Sequence, residues 1–184
     1  MTQPFQPALC KVGIFAVIAR QGSQGDVEVL VNVRTDQERQ RQAAGLPDDW
    51  SGKIVDLPGG TLQIGDSSFE QCLEREITEE TGGCDSKMIG DGFSGPFPLI
   101  KPETGSAEKP HDLAFVAACE LFGEPRPTAE ASEHRWVTWQ QLEAEQEVRL
   151  PGKLGKTGRM AKMIHAAVTT FCESKELPVP AMAQ

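Results

Sequence analysis

Glu76, Glu79 and Glu80 are the residues of this 184-residue chain whose type and spacing most directly imply chemistry. They lie in a stretch that opens on Gly59-Gly60, crosses a loop and then reads as an acid-rich helix ending at Gly82-Gly83. Ser67 can cap that helix, with Glu70 three residues on completing an S-x-x-E capping box. The glycine pair supplies the stop. At about 100° per residue, Phe69, Leu73 and Ile77 form one apolar stripe. Glu76 and Glu80 fall about 20° to either side of Phe69, inside the arc that faces the fold. Glu79 flanks them, one turn after Arg75. Acid-rich helices usually present a solvated face, but that face lies opposite the stripe, where Glu74 falls and Glu76 and Glu80 do not. Carboxylates turned toward a core need compensation, because an unpaired buried charge is very costly. Arg75 can serve one of them at most. A divalent cation serves all three, and hard oxygen ligands on a rigid element suit Mg²⁺ or Mn²⁺.

The same stretch resembles the Nudix box, G-x5-E-x7-R-E-U-x-E-E-x-G-U, where U is a bulky apolar residue. Arg75-Glu76-Ile77-Thr78-Glu79-Glu80-Thr81-Gly82 matches its second half without a gap, and Leu57-Pro58-Gly59-Gly60 matches the usual lead-in. Two departures stand. Counted from Gly60, the first acid is Asp66 instead of glutamate, with one residue more than usual between it and Arg75. The last apolar position is Gly83. The extra residue falls in the loop or at the helix start, and is read as a bulge that leaves the acid face intact.

The elements that must hold these acids follow from patterning. Lys11–Arg20 reads as a buried strand and Asp26–Arg34 as a half-exposed one, alternating through Val27, Val29, Val31 and Val33. With the turn at 21–25 they form a hairpin. Residues 35–51 read as a long polar connection, of a length that is often functional. Ile54–Leu57 is a short strand running into Pro58-Gly59-Gly60. After the box, 87–93 is a candidate strand and 94–111 a second long loop. Strands follow at 112–121 and 133–137. Thr138 caps a helix to about Glu145, with Gln141 closing a second capping box. Residues 146–158 read as irregular. Met160, Met163, Ile164, Ala167, Val168 and Phe171 mark a last, amphipathic helix. This order is similar to the Nudix fold, an α/β architecture in which a mixed β-sheet is sandwiched between helices (α/β/α). The chain divides into a flexible arm (1–9), a single domain (10–176) and a C-terminal tail (177–184).

Composition limits the alternatives. The net charge is −9, from 18 basic and 27 acidic residues, without a basic run. Binding to a nucleic-acid duplex is therefore not expected. No segment has the length of a membrane span and the N-terminus is not signal-like. The five cysteines are scattered without C-x-x-C spacing, which reads as reduced thiols of a cytoplasmic protein.

The resemblance implies a hydrolase that cleaves a nucleoside diphosphate linked to another group, with water attacking phosphorus. Carried over residue by residue, it implies Glu76, Glu79 and Glu80 as metal ligands, with the carbonyl of Gly59 beside them. Glu76 is also a candidate general base, and Arg75 is expected to orient a box glutamate. Relatives often add a carboxylate from a later loop, for which Glu130 and Glu133 are placed. From the residues themselves, Arg34 at a strand end could meet phosphate, and Trp50 could stack on a base or anchor its loop. Ordinary structural roles are the default for His111, His134 and His165. The expected partner is a small nucleoside diphosphate-linked molecule, and a homodimer is allowed for. Two other readings share the fold. A nucleotide-sensing module would typically have lost box acids, and all three remain. An isopentenyl-diphosphate isomerase wants a histidine-rich site, and the chain has three histidines. The chain has no tyrosine, which weakens likeness to dinucleoside-polyphosphate hydrolases. The signature of NADH-cleaving relatives is missing. Pro96 and Pro98 lie near where ADP-ribose hydrolases usually carry a proline, and oxidised nucleoside triphosphates fit comparably.

Overall fold

In a computed structural model, residues 10–43, 45–47, 49–98, 111–144, 148–149 and 159–182 are described. The expected arm, residues 99–110 and most of residues 145–158 lie outside them. The strands are β1 (Cys10–Gln21), β2 (Val27–Arg34), β3 (Lys53–Asp56), β4 (Gly59–Thr61), β5 (Asp85–Pro98), β6 (His111–Phe122), β7 (Ala131–Thr138) and β8 (Val148–Arg149). The helices are α1 (Gln37–Ala43), α2 (Phe69–Glu80), α3 (Trp139–Ala144) and α4 (Arg159–Ser174).

β1 joins two groups of strands. Residues 10–18 pair in parallel with β6, and Gly13–Phe15 pair antiparallel with β4. Further on, Ala19–Gln21 pair antiparallel with β2, which itself carries β3 and β7. The sheet is therefore mixed, in the order β5-β6-β1-β2-β3-β8. Alternation gives it two apolar faces. Ile14, Ala16, Ile18, Leu30, Ala117 and Cys119 pack with Cys72, Leu73 and Ile77 of α2. Val17, Val29, Val31, Val116 and Ala118 pack on the other side with Met163, Ile164, Ala167, Val168 and Phe171 of α4. Helices thus cover both faces, as the element order implies. The described helices include none long and apolar enough to cross a membrane.

Three local expectations are corrected. The polar connection 35–51 contains α1, built from good helix formers. The Gln37 side chain ties it to β3 like a strand edge, donating to the Ile54 carbonyl at 2.6 Å and accepting from the Ile54 N–H at 2.8 Å. β5 continues to Pro98, past the expected end at 93. It does so through two register shifts, where its glycines let the strand bulge. Within the stretch read as irregular, Val148–Arg149 pairs with β3. At α3, Thr138 and Gln141 form the expected reciprocal cap, at 3.3 and 2.9 Å.

Candidate active site

The loop and the helix that carry the acids are held by one ion-pair system. Asp66 accepts from the Gln63 N–H at 2.8 Å, and from Arg75 Nη2 and Nε at 3.0 and 3.2 Å. Asp66 therefore braces the loop despite the altered spacing. Arg75 and the Gln63 N–H hold its carboxyl down at about 2. Arg75 also donates to Glu76 Oε1 at 2.8 Å and reaches Glu79 at 3.4 Å. One arginine thus serves more than one carboxylate, contrary to the expectation from sequence, because its planar fork presents several donors at once. The cap is Ser68, whose Oγ accepts from the Gln71 N–H at 3.2 Å. Ser67 and Glu70 do not form the expected box. Instead the Ser67 N–H donates to Gln71 Oε1 at 2.6 Å. At the other end Gly82 takes φ +72°, and the Gly83 N–H returns to the Thr78 carbonyl at 2.9 Å, the glycine stop read from sequence.

Glu80 is turned into the fold. Its Oε2 accepts from the Gly59 N–H at 2.8 Å and from Asn32 Nδ2 at 3.1 Å. His134 Nε2 donates to the Glu80 carbonyl at 2.8 Å, which satisfies a main-chain acceptor in the last turn of α2. Glu76 is buried, and its carboxylate lies so close to the Gly60 Cα that a Cβ there would stand 2.3 Å from Oε1. Glu79 is 61% exposed at its side chain. Spacing on the helix therefore separates the three acids into one packed on the glycine strand, one pinned to it and one exposed.

A cavity of about 460 Å³ opens in front of Glu80, lined by Lys11, Phe15, Arg34, Asp56, Glu80 and Glu130 among others; Glu76 and Glu79 do not line it. A second of about 270 Å³ adjoins it behind Asn32 and Asp36. Burial pushes the Glu80 carboxyl up to about 8; the Gly59 N–H opposes this, and the charges of Asp56, Glu76 and Glu130 add to it. Burial likewise raises Glu76 against the pull of Arg75, and raises Asp56 against the pull of Arg34. Among the described residues, no three carboxylate, imidazole or thiolate side chains stand together as a ready-made cation cage. The donor set nevertheless fits a hard cation. Several carboxylates repel one another in a partly desolvated cleft, while Arg34 is engaged by Asp36 and Asp56 at 2.9 and 2.8 Å.

The model of the NUDIX domain family matches residues 11–156. The chain belongs to the Nudix family. That family is one of pyrophosphohydrolases, and α2 with the loop before it is the Nudix motif. A comparison with curated proteins returns no match. Among solved structures, the fold is shared with an Ap4A hydrolase from C. elegans, at 14% identity and TM-score 0.58, over 89% of this chain and 98% of that one. The NUDIX domain of Shewanella oneidensis NrtR, solved with ADP ribose, aligns at 16% identity and TM-score 0.53, over 90% and 92%. A MutT NUDIX hydrolase from Burkholderia pseudomallei aligns at 22% and 0.50, over 83% and 95%. At these identities the likeness is one of fold.

The remaining residues singled out from sequence separate clearly. Glu130 lines both cavities, where a one-residue slip in the β2–β7 register at Val33/Arg34 ends the ladder and lets the chain turn across the cleft. Glu133 is paired with Arg135 at 2.7 Å and lines neither cavity. Arg34 lines both, with its guanidinium already engaged. Trp50 is half-buried in a turn closed by its own N–H on the Pro47 carbonyl at 3.0 Å, and lines neither. Asn32, Asp56 and Phe15 line these cavities without having been singled out. For Asn32 a signal was present: an amide on the same face of β2 as Leu30, in a strand otherwise rich in valine.

The Glu80 carboxyl makes a prediction about pH. Its ordinary pKa is 4.5 and its folded value about 8. Between the two, the folded protein keeps a proton that the unfolded chain has released. Stability is therefore greatest below the ordinary carboxylate value and is lost as pH rises toward the folded one. Asp66 has the opposite sign, but its window lies lower, between 3.8 and about 2. In chelator, the Tm is expected to fall as pH rises from about 5 to about 8, with the slope flattened in Glu80→Gln. An unchanged slope in the variant would contradict the assignment.

Proposed function

We propose that this Nudix chain hydrolyses the diphosphate linkage of a small nucleoside diphosphate derivative, such as an ADP-ribose-like compound or a nucleoside triphosphate. Water attacks phosphorus with the help of Mg²⁺ or Mn²⁺. The observation that carries the reading is the pinning of Glu80 on the Gly59 N–H in a cavity that Asp56 and Glu130 also line, with Glu76 packed on Gly60 of the same strand. A bound divalent ion would neutralise phosphate oxygens and lower the pKa of a coordinated water.

The chain supplies position and proton chemistry. Glu80 presents a carboxylate fixed by the Gly59 N–H and Asn32 Nδ2. Arg75 orients Glu76, which is the candidate acceptor for the proton of the attacking water. The exposed Glu79 and the cavity-lining Glu130 complete the acid set, with the Gly59 carbonyl as a further oxygen donor. Arg75 acts inside the motif, held by Asp66 and not facing substrate. Phe15 in the cavity wall offers an apolar surface to a base. The cavity volume of about 460 Å³ is in the range of small-molecule sites.

The test is a screen of nucleoside triphosphates, ADP-ribose and other diphosphate-linked nucleotides, read by phosphate release with Mg²⁺, with Mn²⁺ and in chelator. Turnover of at least one compound is expected, and it should disappear on chelation. Undiminished turnover after exhaustive chelation would remove the metal from the reading.

A further inference from the structure

Three elements converge on Glu80. β4 contributes the Gly59 N–H, β2 contributes Asn32 and β7 contributes His134. Asn32 and His134 are register partners on adjacent antiparallel strands. Each directs its hydrogen bond to the same residue: Asn32 Nδ2 to the carboxylate at 3.1 Å, and His134 Nε2 to the main-chain carbonyl at 2.8 Å. Among the described residues, each also has a buried polar atom without a partner, Asn32 Oδ1 and His134 Nδ1. Asn32 is only 4% exposed, next to the fully buried Val31 and Leu30. A valine or leucine would fill such a strand position without leaving an acceptor unsatisfied. A buried polar group that breaks the local pattern at a cost in stability points to function.

We propose that Asn32 and His134 form a cross-strand clamp that positions Glu80. Asn32 fixes the carboxylate, and His134 fixes the main chain at the end of α2. The inference rests on the reading of Glu80 as a cation ligand. The Gly59 N–H and Asn32 Nδ2 both donate to Oε2, which keeps Oε1 available to the cavity that Glu80 lines. A glutamate with its rotamers already restricted loses less entropy when an ion binds. Asn32 acts through Glu80 and is a positioning residue, in the way that outer-shell hydrogen bonds orient metal ligands.

The experiment measures Mn²⁺ affinity from the electron paramagnetic resonance signal of the free ion, and Tm in chelator. It uses wild type, Asn32→Leu, Glu80→Gln and the double variant. Asn32→Leu is expected to weaken Mn²⁺ binding roughly 10- to 100-fold, with an unchanged or higher Tm. The double variant should bind no more weakly than Glu80→Gln alone, the result required if Asn32 acts on the ion through Glu80. Wild-type Mn²⁺ affinity in Asn32→Leu beside a weakened Glu80→Gln overturns the clamp and leaves the cation reading standing. Losses that multiply in the double variant also overturn it. Wild-type affinity in Glu80→Gln itself removes the cation reading, and the clamp with it. Should Asn32→Leu not fold, Asn32→Val carries the same expectation and the same refutation.

Discussion

Glu80→Gln lowers diphosphate hydrolysis on the order of 100- to 1,000-fold, the range lost when one group that stabilises transition-state charge is removed. The same change leaves the protein without metal at least as stable as before. Two observations set this sign. The Glu80 carboxyl is raised to about 8 by burial and by the charges of Asp56, Glu76 and Glu130, so its ionised form opposes folding. A glutamine keeps the shape and an acceptor oxygen for the Gly59 N–H and Asn32 Nδ2. Its amide N–H groups face acids instead of adding to them. A neutral amide is a weaker ligand for a hard cation, so stabilisation by Mg²⁺ should shrink in the variant. Thermal melts of both proteins with and without Mg²⁺ decide the matter. A variant that melts well below wild type in chelator, yet gains as much from Mg²⁺, would show a structural acid instead of a ligand.

Gly60→Ala should preserve the fold and lose roughly 100-fold in turnover, as a misplacement of about 1 Å can cost. The new Cβ would stand 2.3–2.4 Å from both carboxylate oxygens of Glu76. That contact is far below van der Waals distance, but the atoms it meets end a flexible side chain. Glu76 swings away, Arg75 loses its 2.8 Å partner, and the backbone stays. Gly59→Ala, one residue earlier, behaves differently. There the Cβ would meet the Ile14 carbonyl at 2.3 Å and the Phe15 Cα at 2.7 Å, at a φ of +145°. Main chain on main chain cannot yield, so this variant should lose stability before it loses chemistry. Circular dichroism melts beside a turnover assay separate the pair. A Gly60→Ala protein with wild-type kcat would mean that the Glu76 position seen here does not matter to the reaction.

What was legible in the sequence is what local geometry dictates. The helix period turned Glu76 and Glu80 inward, because 3.6 residues per turn is set by the backbone itself. Glu76 is accordingly 8% exposed and Glu80 half-buried. The Gly82-Gly83 stop and the Thr138–Gln141 cap are also short-range hydrogen-bond patterns, and both are present. The motif was equally legible, and with it the family. Where sequence reading slipped, weak local signals competed. Ser67 and Ser68 are both able caps, and the choice falls on Ser68 because Gln71, not Glu70, closes the turn. The polar run around Gln37 lacks an apolar stripe, and its helix is held to β3 by the Gln37 amide on the Ile54 main chain.

Everything that makes the acids into a site belongs to the tertiary structure. Asn32, Asp56, Gly59, Glu80, Glu130 and His134 are spread over about a hundred residues of chain, and no periodicity relates them. They meet because β1 exchanges β4 for β2 along its length, which brings the glycine strand and the polar end of β2 to the same helix terminus. Glu130 and Glu133 are indistinguishable as sequence. The register slip beside Arg34 and the availability of Arg135 send one to the cleft and the other to an ion pair. The raised Glu80 pKa is likewise a property of neighbours, since burial and the field of surrounding charges exist only once the chain is folded. Sequence by itself determined which residues could carry the chemistry and which way the helix turns them. Folding decided which of them share a desolvated cleft, because that depends on contacts between strands far apart in the chain.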